Sequence, residues 1–395
     1  MKRRTKLVFG FVALVALIQI PFVYRRWQTS RLAEKIAAGN AAETAREDPT
    51  YKNYSGVIHV HTFLGGHSTA TFEDLIVGAK QLDFVVITEH TDKRFDTAAM
   101  TLTGHYRGTL FVGGNELNTA SGDRLLLVPG TIEAYRKRMT KTPQFLLRFQ
   151  KEGRLAFVTY PERFRSWDSS FDGIEVFSLN TESRKVVRPS FFLEALWSYR
   201  KFPELTLARQ YTRPDANLER FDETAKTRRV TLFAGSDAHS NIGFHLFGDD
   251  AGRELVNVKL DDYATIFGIV QTHALIERTK HLTQESLLDA LRNGHCYIGF
   301  EALGDTKGFM FSTGGAIMGD EVPLNSSLNF KVSSSQRSRI VLLQDGVKVH
   351  EALDAAEMEF QPRQPGAYRV EVLRDSLGSP FDRLPWIISN PIYVR

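Results

Sequence analysis

Short β-branched runs alternate with stretches of helical spacing over most of the chain. Val57 to Val60, Phe84 to Thr88, Leu110 to Gly113, Leu155 to Thr159, Gly173 to Phe177 and Val230 to Ala234 read as strands, and Arg124 to Val128 is a further apolar run. Thr71 to Gln81, Thr131 to Arg138, Pro143 to Glu152, Pro189 to Tyr199, Asp215 to Thr227 and Thr283 to Asn293 have helical spacing. Thr71 and Asp74 offer a capping box for the first of these helices, and Gly294 stops the last. Strand and helix in alternation predict an α/β protein. Ionisable residues at the strand ends predict a (β/α) barrel with its site at the C-terminal face.

Both flanks read differently. Leu7 to Tyr24 carries no charged residue and is long enough to span a bilayer as a helix. Lys2 to Lys6 precede it, and Tyr24, Arg25, Arg26 and Trp27 follow as an interfacial aromatic and basic flank. An uncleaved anchor is expected over a cleaved signal peptide, because no small-x-small site follows. The basic tail places residues 1–27 as a single-pass anchor in a bacterial inner membrane, with the rest exported to the periplasm. Residues 28–54 read as a helical spacer and 55–300 as the barrel. Residues 301–395 hold short alternating runs with a hairpin turn at Asp345-Gly346, which predicts a small β-sandwich.

Four of the eleven histidines fall between Gly56 and Asp92: His59, His61, His67 and His90. Residues two apart on a strand share a face, so His59 and His61 are expected to project together. His67 follows in a Gly-rich loop and His90 just past the next strand. Glu116 stands behind Gly113 and Gly114, expected to let the backbone turn tightly and the carboxylate reach inward. Asp237 and His239, in Gly235-Ser236-Asp237-Ala238-His239, repeat the i, i+2 spacing. Imidazoles packed together without a metal would repel when protonated and lack partners when neutral. A metal site is therefore expected. Mixed nitrogen and hard oxygen donors suit Zn, Mn or Fe and argue against calcium.

The net charge of +4 comes from Lys2, Arg3, Arg4 and Lys6, and the remaining chain is balanced. The sequence pI of about 9.0 is thus no sign of nucleic-acid binding. A single cysteine, Cys296, excludes an internal disulfide and a cysteine metal cluster.

HVH at 59–61, TEH at 88–90, GNE at 114–116 and GSDAH at 235–239 resemble, in order and spacing, the motifs of the polymerase-and-histidinol-phosphatase (PHP) superfamily. The resemblance covers about residues 55 to 300. It implies a distorted, TIM-like (β/α)7 barrel holding two or three divalent metal ions. His59, His61, Glu116 and Asp237 match the ligands of one metal, and His67, His90 and His239 those of another, with Glu116 bridging. GAIMGDEV at 315–322 and PWIISNPIYV at 385–394 resemble the tail of the CehA/McbA-type branch, named for a carbamate hydrolase. Two positions depart from the pattern. Tyr160-Pro161 stands where His-Pro is usual, which puts a third metal in doubt, and Glu89 replaces the commoner Asp.

Such a centre predicts an ester hydrolase. Asp237 and His239 are candidates for proton transfer. Arg163, Arg165 and Tyr160 are candidates for substrate binding, the two arginines by clamping a phosphate. Phe164, Trp167 and Phe171 either wall an apolar pocket or simply pack. Three functions are open: a phosphoesterase acting on a small molecule, a carboxyl ester or carbamate hydrolase, and a degenerate domain that binds metal or ligand without turnover. The first is preferred, because phosphoester cleavage dominates the superfamily.

Overall fold

The computed structural model describes residues 3–42, 47–66, 68–179, 181, 189–240, 243–248, 254–259 and 261–395. Seven strands close into a barrel: β1 (Tyr51–Val60), β2 (Phe84–His90), β3 (Thr109–Asn118), β4 (Arg124–Val128), β5 (Leu155–Val158), β6 (Gly173–Ser178) and β7 (Thr231–Ala238). β1 pairs in parallel with β2 and with β7, which closes the ring. β4 is antiparallel to both its neighbours, β3 and β5, and the remaining pairs are parallel. The barrel is thus α/β with one reversed strand.

Side-chain alternation builds the interior. Phe84 and Val86 of β2 stand beside Leu110 and Val112 of β3 in register. With Ile58, Leu126, Val128, Leu155, Phe157 and Phe233 they form one buried apolar cluster drawn from around the ring. Leu287, Leu288 and Leu291 of helix Gln284–Asn293 join that cluster and close one end. The opposite parity faces outward. Val85, Ile87 and Phe111 pack with Leu75 of helix Phe72–Gly78, which carries the expected Thr71–Asp74 capping box. The two-residue period therefore carries an apolar plug up the strands to polar groups: His90, Glu116 and Asp237 towards the C-terminal ends of β2, β3 and β7, and Glu175 in the middle of β6.

Where a β-sandwich is expected, the strands after residue 300 are hydrogen-bonded in series to the barrel. β1 pairs with β8 (Gln271–Glu277), β8 with β9 (Cys296–Gly299), and β9 with a late strand, Ile387–Ser389. The long hairpin Phe330–Gln344 and Val347–Phe360 turns at Asp345 and Gly346, both at positive φ as a type I′ turn requires. Strand Gly366–Leu373 carries Arg369, 1% exposed, whose guanidinium forks onto both oxygens of Asp222 at 2.7 and 2.8 Å. Asp222 lies on helix Asp215–Thr227 of the barrel, so a buried ion pair ties the two regions together.

The N-terminal segment is one helix, Arg3–Ala42, with Pro21 inside it. Its apolar first half is exposed. The expected spacer is not free: Leu32 and Ile36 are buried in the main core cluster. Arg25 reaches Glu194 at 3.2 Å, and Trp197 donates to Gln19 at 2.9 Å. This is the one described helix apolar and long enough to cross a membrane.

Candidate metal centre

His59 reaches the site through a fault in its strand. A regular β1 would put His59 on the same face as Val57, which lies in the outer cluster together with Val60. The register of β1 slips between Ile58 and Val60 against both β2 and β7, and His59 takes a left-handed φ of 69°. This bulge sends Ile58, His59 and His61 inward while Val57 and Val60 stay outside. The two imidazoles meet as expected, with ring centroids 5.1 Å apart, but the bulge brings them together and simple alternation does not. Asp237 and Tyr160 are also left-handed, at φ 46° and 53°. His59 and Tyr160 both touch Asp237, so three left-handed non-glycine residues meet in one cluster, the kind of backbone that gathers at functional sites.

Four strand ends converge there. His61 Nε2 lies 3.3 Å from Glu116 Oε2 and 3.4 Å from Asp237 Oδ1, and His59 Nε2 lies 3.5 Å from each of the same two oxygens. His90 Nε2 is 3.2 Å from Glu116 Oε2. The His61 ring stacks between those of His90 and His239, at 4.9 and 4.6 Å. His239 donates from Nδ1 to its neighbour's backbone, the Asp237 carbonyl, at 2.8 Å. His59, His61, Glu116 and Asp237 are buried, while His90 and His239 sit at the rim with 27% and 15% of their side chains exposed. His67 lies outside the described residues.

Donor chemistry fits a metal ion. Two triads, His59–His61–Glu116 and His61–Asp237–His239, each place three ligand atoms within 4.8 Å of one another. His59 Nδ1 is held by Glu175 Oε1 at 2.8 Å, which leaves Nε2 to face the carboxylates. That Nε2 is buried and makes no hydrogen bond among the described residues. A carboxylate behind a histidine is how metal-binding imidazoles are oriented. Glu175 is itself held by Thr159.

Electrostatics agree. Burial alone would lower the His59 and His61 imidazoles. Glu175, Asp237 and Glu116 raise His59 well above its ordinary value, and bonds to Asp237 and Glu116 push His61 up to about 9. Burial likewise works against the Glu116 and Asp237 carboxylates, yet His59 and His61 hold both well below the usual range. The site is a dense knot of charge, from which a divalent cation would displace protons.

Tyr160 donates to Asp237 Oδ2 at 2.7 Å. Burial and the Asp237 charge push its phenol far up, so it remains a neutral donor. Glu89 points away from the cluster and accepts from Thr62 N at 3.1 Å and Thr62 Oγ1 at 2.5 Å, pinning the loop that follows His61. Gly113 and Gly114 lie within β3, where a turn was expected. A Cβ at Gly113 would sit 2.5 Å from the Ala98 carbonyl, and one at Gly114 3.0 Å from that of Leu127, so close packing is the reason for them.

Arg163 and Arg165 are exposed and do not line the cavity beside the cluster. The Arg165 backbone N–H is tied to Asp123 at 2.7 Å. Phe164, Trp167 and Phe171 pack edge to face on one another, with centroids 5.1 to 5.9 Å apart, so they are packing. The cavity, of about 250 Å³, is lined by His90, Glu116, Asn118, Arg124, Tyr135 and Arg138 among others. Sequence reasoning missed Glu175 as the holder of His59, and it missed Arg124 and Arg138. A carboxylate inside an apolar strand was the only signal for the first. Nothing local marks the two arginines.

No family model matches the chain, and no curated protein matches it. Solved structures do. One is a two-domain protein from Bacteroides vulgatus containing a predicted PHP-like metal-dependent phosphoesterase: 12% identity, TM-score 0.36, covering 88% of this chain and 98% of that one. PsfC from Pseudomonas syringae matches with 12% identity and TM-score 0.39, covering 64% of this chain and 95% of its own. The lesion-specific endonuclease EndoQ from Pyrococcus furiosus matches with 12% identity and TM-score 0.35, covering 67% and 63%. A PHP-like phosphoesterase is thus among the structures this chain is similar to.

Proposed function

We propose that this chain is a metal-dependent hydrolase of PHP type that cleaves a phosphoester of a small molecule. The observation that carries this reading is the convergence of His59, His61, Glu116, Asp237 and His239 at one end of a closed barrel, with His59 already oriented by Glu175. Either His59, His61 and Glu116 or His61, Asp237 and His239 would hold a divalent ion, with His61 giving its nitrogen to one ion only; Zn, Mn and Fe suit these donors. When bound, such ions lower the pKa of water to about 7 and stabilise charge that develops on the ester oxygens.

The protein's own groups do the rest. Glu175 fixes the tautomer of His59. Tyr160, a neutral donor, holds one oxygen of Asp237 and leaves Oδ1 facing His59 and His61. When the first triad holds the ion, His239, at the rim and 3.6 Å from Asp237 Oδ1, is placed to pass a proton to the leaving group. The exposed first half of the N-terminal helix supports a membrane anchor, and its buried second half supports a fixed connection to an exported barrel.

The test is a substrate panel with defined metals. Chelator-treated protein reconstituted with Mn or Zn is assayed on aryl phosphomonoesters, phosphodiesters, a DNA duplex and neutral aryl carboxyl esters. Metal-dependent release from a phosphoester, abolished by His61→Ala, is expected. Turnover of carboxyl esters alone, or turnover that survives complete metal removal, would overturn the reading.

A further inference from the structure

The wall of the cavity next to the cluster is cationic, and it is built. Arg124, at the start of β4, projects from a strand that runs against its neighbours, so its guanidinium lies beside the end of β3 and the metal cluster. Three contacts fix it. Its Nε donates to Asn118 Oδ1 at 3.0 Å, its Nη1 lies 3.3 Å from Glu116 Oε1, and its guanidinium stacks 5.0 Å above the Tyr160 ring. Arg138, at the end of the short helix Ile132–Lys137, faces the same cavity and stacks 4.4 Å over the Tyr135 ring. Among the described residues no carboxylate pairs with Arg138, whereas Arg124 is shared with Glu116.

We propose that Arg138, with Arg124 beside it, forms an anion subsite that holds a phosphate group of the substrate against the metal cluster. This rests on the hydrolase reading and narrows it to substrates carrying a phosphate dianion, as a phosphomonoester does. The chemistry follows from the positions. Tyr135 packs against the Arg138 guanidinium, a planar fork of donors suited to a bidentate grip on phosphate oxygens. Glu116 is the one carboxylate lining the cavity. Its Oε1 faces Arg124 and its Oε2 faces three imidazoles, so its charge is matched on both sides. An anion entering the cavity therefore meets Arg138 as the unmatched charge. His90 lines the same cavity, so a phosphate held there touches the rim of the cluster. Arg163 and Arg165, exposed and outside the lining, are not part of this grip.

The experiment is calorimetric titration of inorganic phosphate into chelator-treated full-length protein, repeated with Arg138→Gln, Arg124→Gln and Arg163→Ala. It needs neither metal nor turnover, so it succeeds or fails independently of the hydrolase reading. Thermal melts confirm that each variant is folded. Phosphate binding weakened about tenfold or more by Arg138→Gln, and unaffected by Arg163→Ala, is the expected result. Unchanged binding in folded Arg138→Gln, absence of phosphate binding to the parent protein, or loss confined to Arg163→Ala would each overturn the subsite. With metal restored, Arg138→Gln should raise KM for an aryl phosphate, whereas Arg163→Ala should leave it unchanged. Equal effects of the two substitutions would also contradict it.

Discussion

Glu175 holds His59 through a 2.8 Å contact to Nδ1, and it reaches that position only because residue 235 has no side chain. A Cβ on Gly235 would lie 1.5 Å from Glu175 Oε1. Strand β7 thus supplies two things to the site from positions two apart: Asp237 as a charge, and Gly235 as the space through which β6 orients an imidazole on β1. Glu175→Gln keeps the shape and weakens the acceptor. It should reduce metal affinity about 10- to 100-fold, as removal of such a supporting carboxylate does. Competition against a chromogenic chelator measures this. Gly235→Ala should lower affinity at least as much, because the clash moves Glu175 off His59.

Tyr160 satisfies Asp237 Oδ2 from a left-handed backbone position. Tyr160→Phe removes the hydroxyl and leaves a buried carboxylate oxygen without that donor, which costs about 1–3 kcal/mol in metal-free protein. A lowered melting temperature in chelator is expected, largely restored by saturating metal. An unchanged melting temperature in chelator would show that the bond contributes nothing.

The charge knot makes the metal-free protein sensitive to pH in a defined direction. His61 is raised from 6.5 to about 9, so its contribution to stability is complete below the unfolded value and is lost as pH rises through 9. Glu116 and Asp237 are depressed, so theirs is present above the ordinary carboxylate range and is lost only in strong acid. Stability in chelator should therefore fall between about pH 6.5 and 9, whereas the metal-loaded protein, with neutral imidazoles, should not follow that decline. Metal affinity should rise over the same interval by about tenfold per pH unit for each proton displaced. Melting curves with and without metal check both statements.

Arg369 and Asp222 lock the C-terminal strands to the barrel through a buried fork. Glu371 takes a third guanidinium nitrogen at 2.5 Å and is itself held by Arg213 at 2.6 Å. Removing one partner leaves a buried charge unbalanced, so Asp222→Ala should destabilise the fold by about 3–5 kcal/mol. Denaturant unfolding measures it. A loss below 1 kcal/mol would mean that the fork is solvated in solution.

Much of this was legible along the chain. Imidazoles and carboxylates at strand ends announce themselves, because a strand that finishes in a polar ligand breaks its own apolar alternation. His59, His61, His90, Glu116, Asp237 and His239 meet for that reason. What stayed hidden depends on register and direction. A bulge at His59 is invisible in Val57-Ile58-His59-Val60. The run Arg124 to Val128 reads the same in either direction, so its antiparallel course was not foreseen, nor was the position of Arg124 that follows from it. Glu175 lies 116 residues after its partner, and Gly235 is informative only once that contact is known. Arg163 and Arg165 looked better placed than Arg124 and Arg138 because closeness in sequence to Tyr160 stood in for closeness in space.

The most direct measurement is titration of Mn or Zn into chelator-treated full-length protein, followed by metal analysis after desalting, for the parent chain and for His61→Ala. His61 belongs to both ligand triads, so the account predicts at least one ion retained per parent chain and none retained after the substitution. A parent protein that is folded yet takes up no divalent ion, or a His61→Ala variant that retains as much metal as the parent, would contradict it.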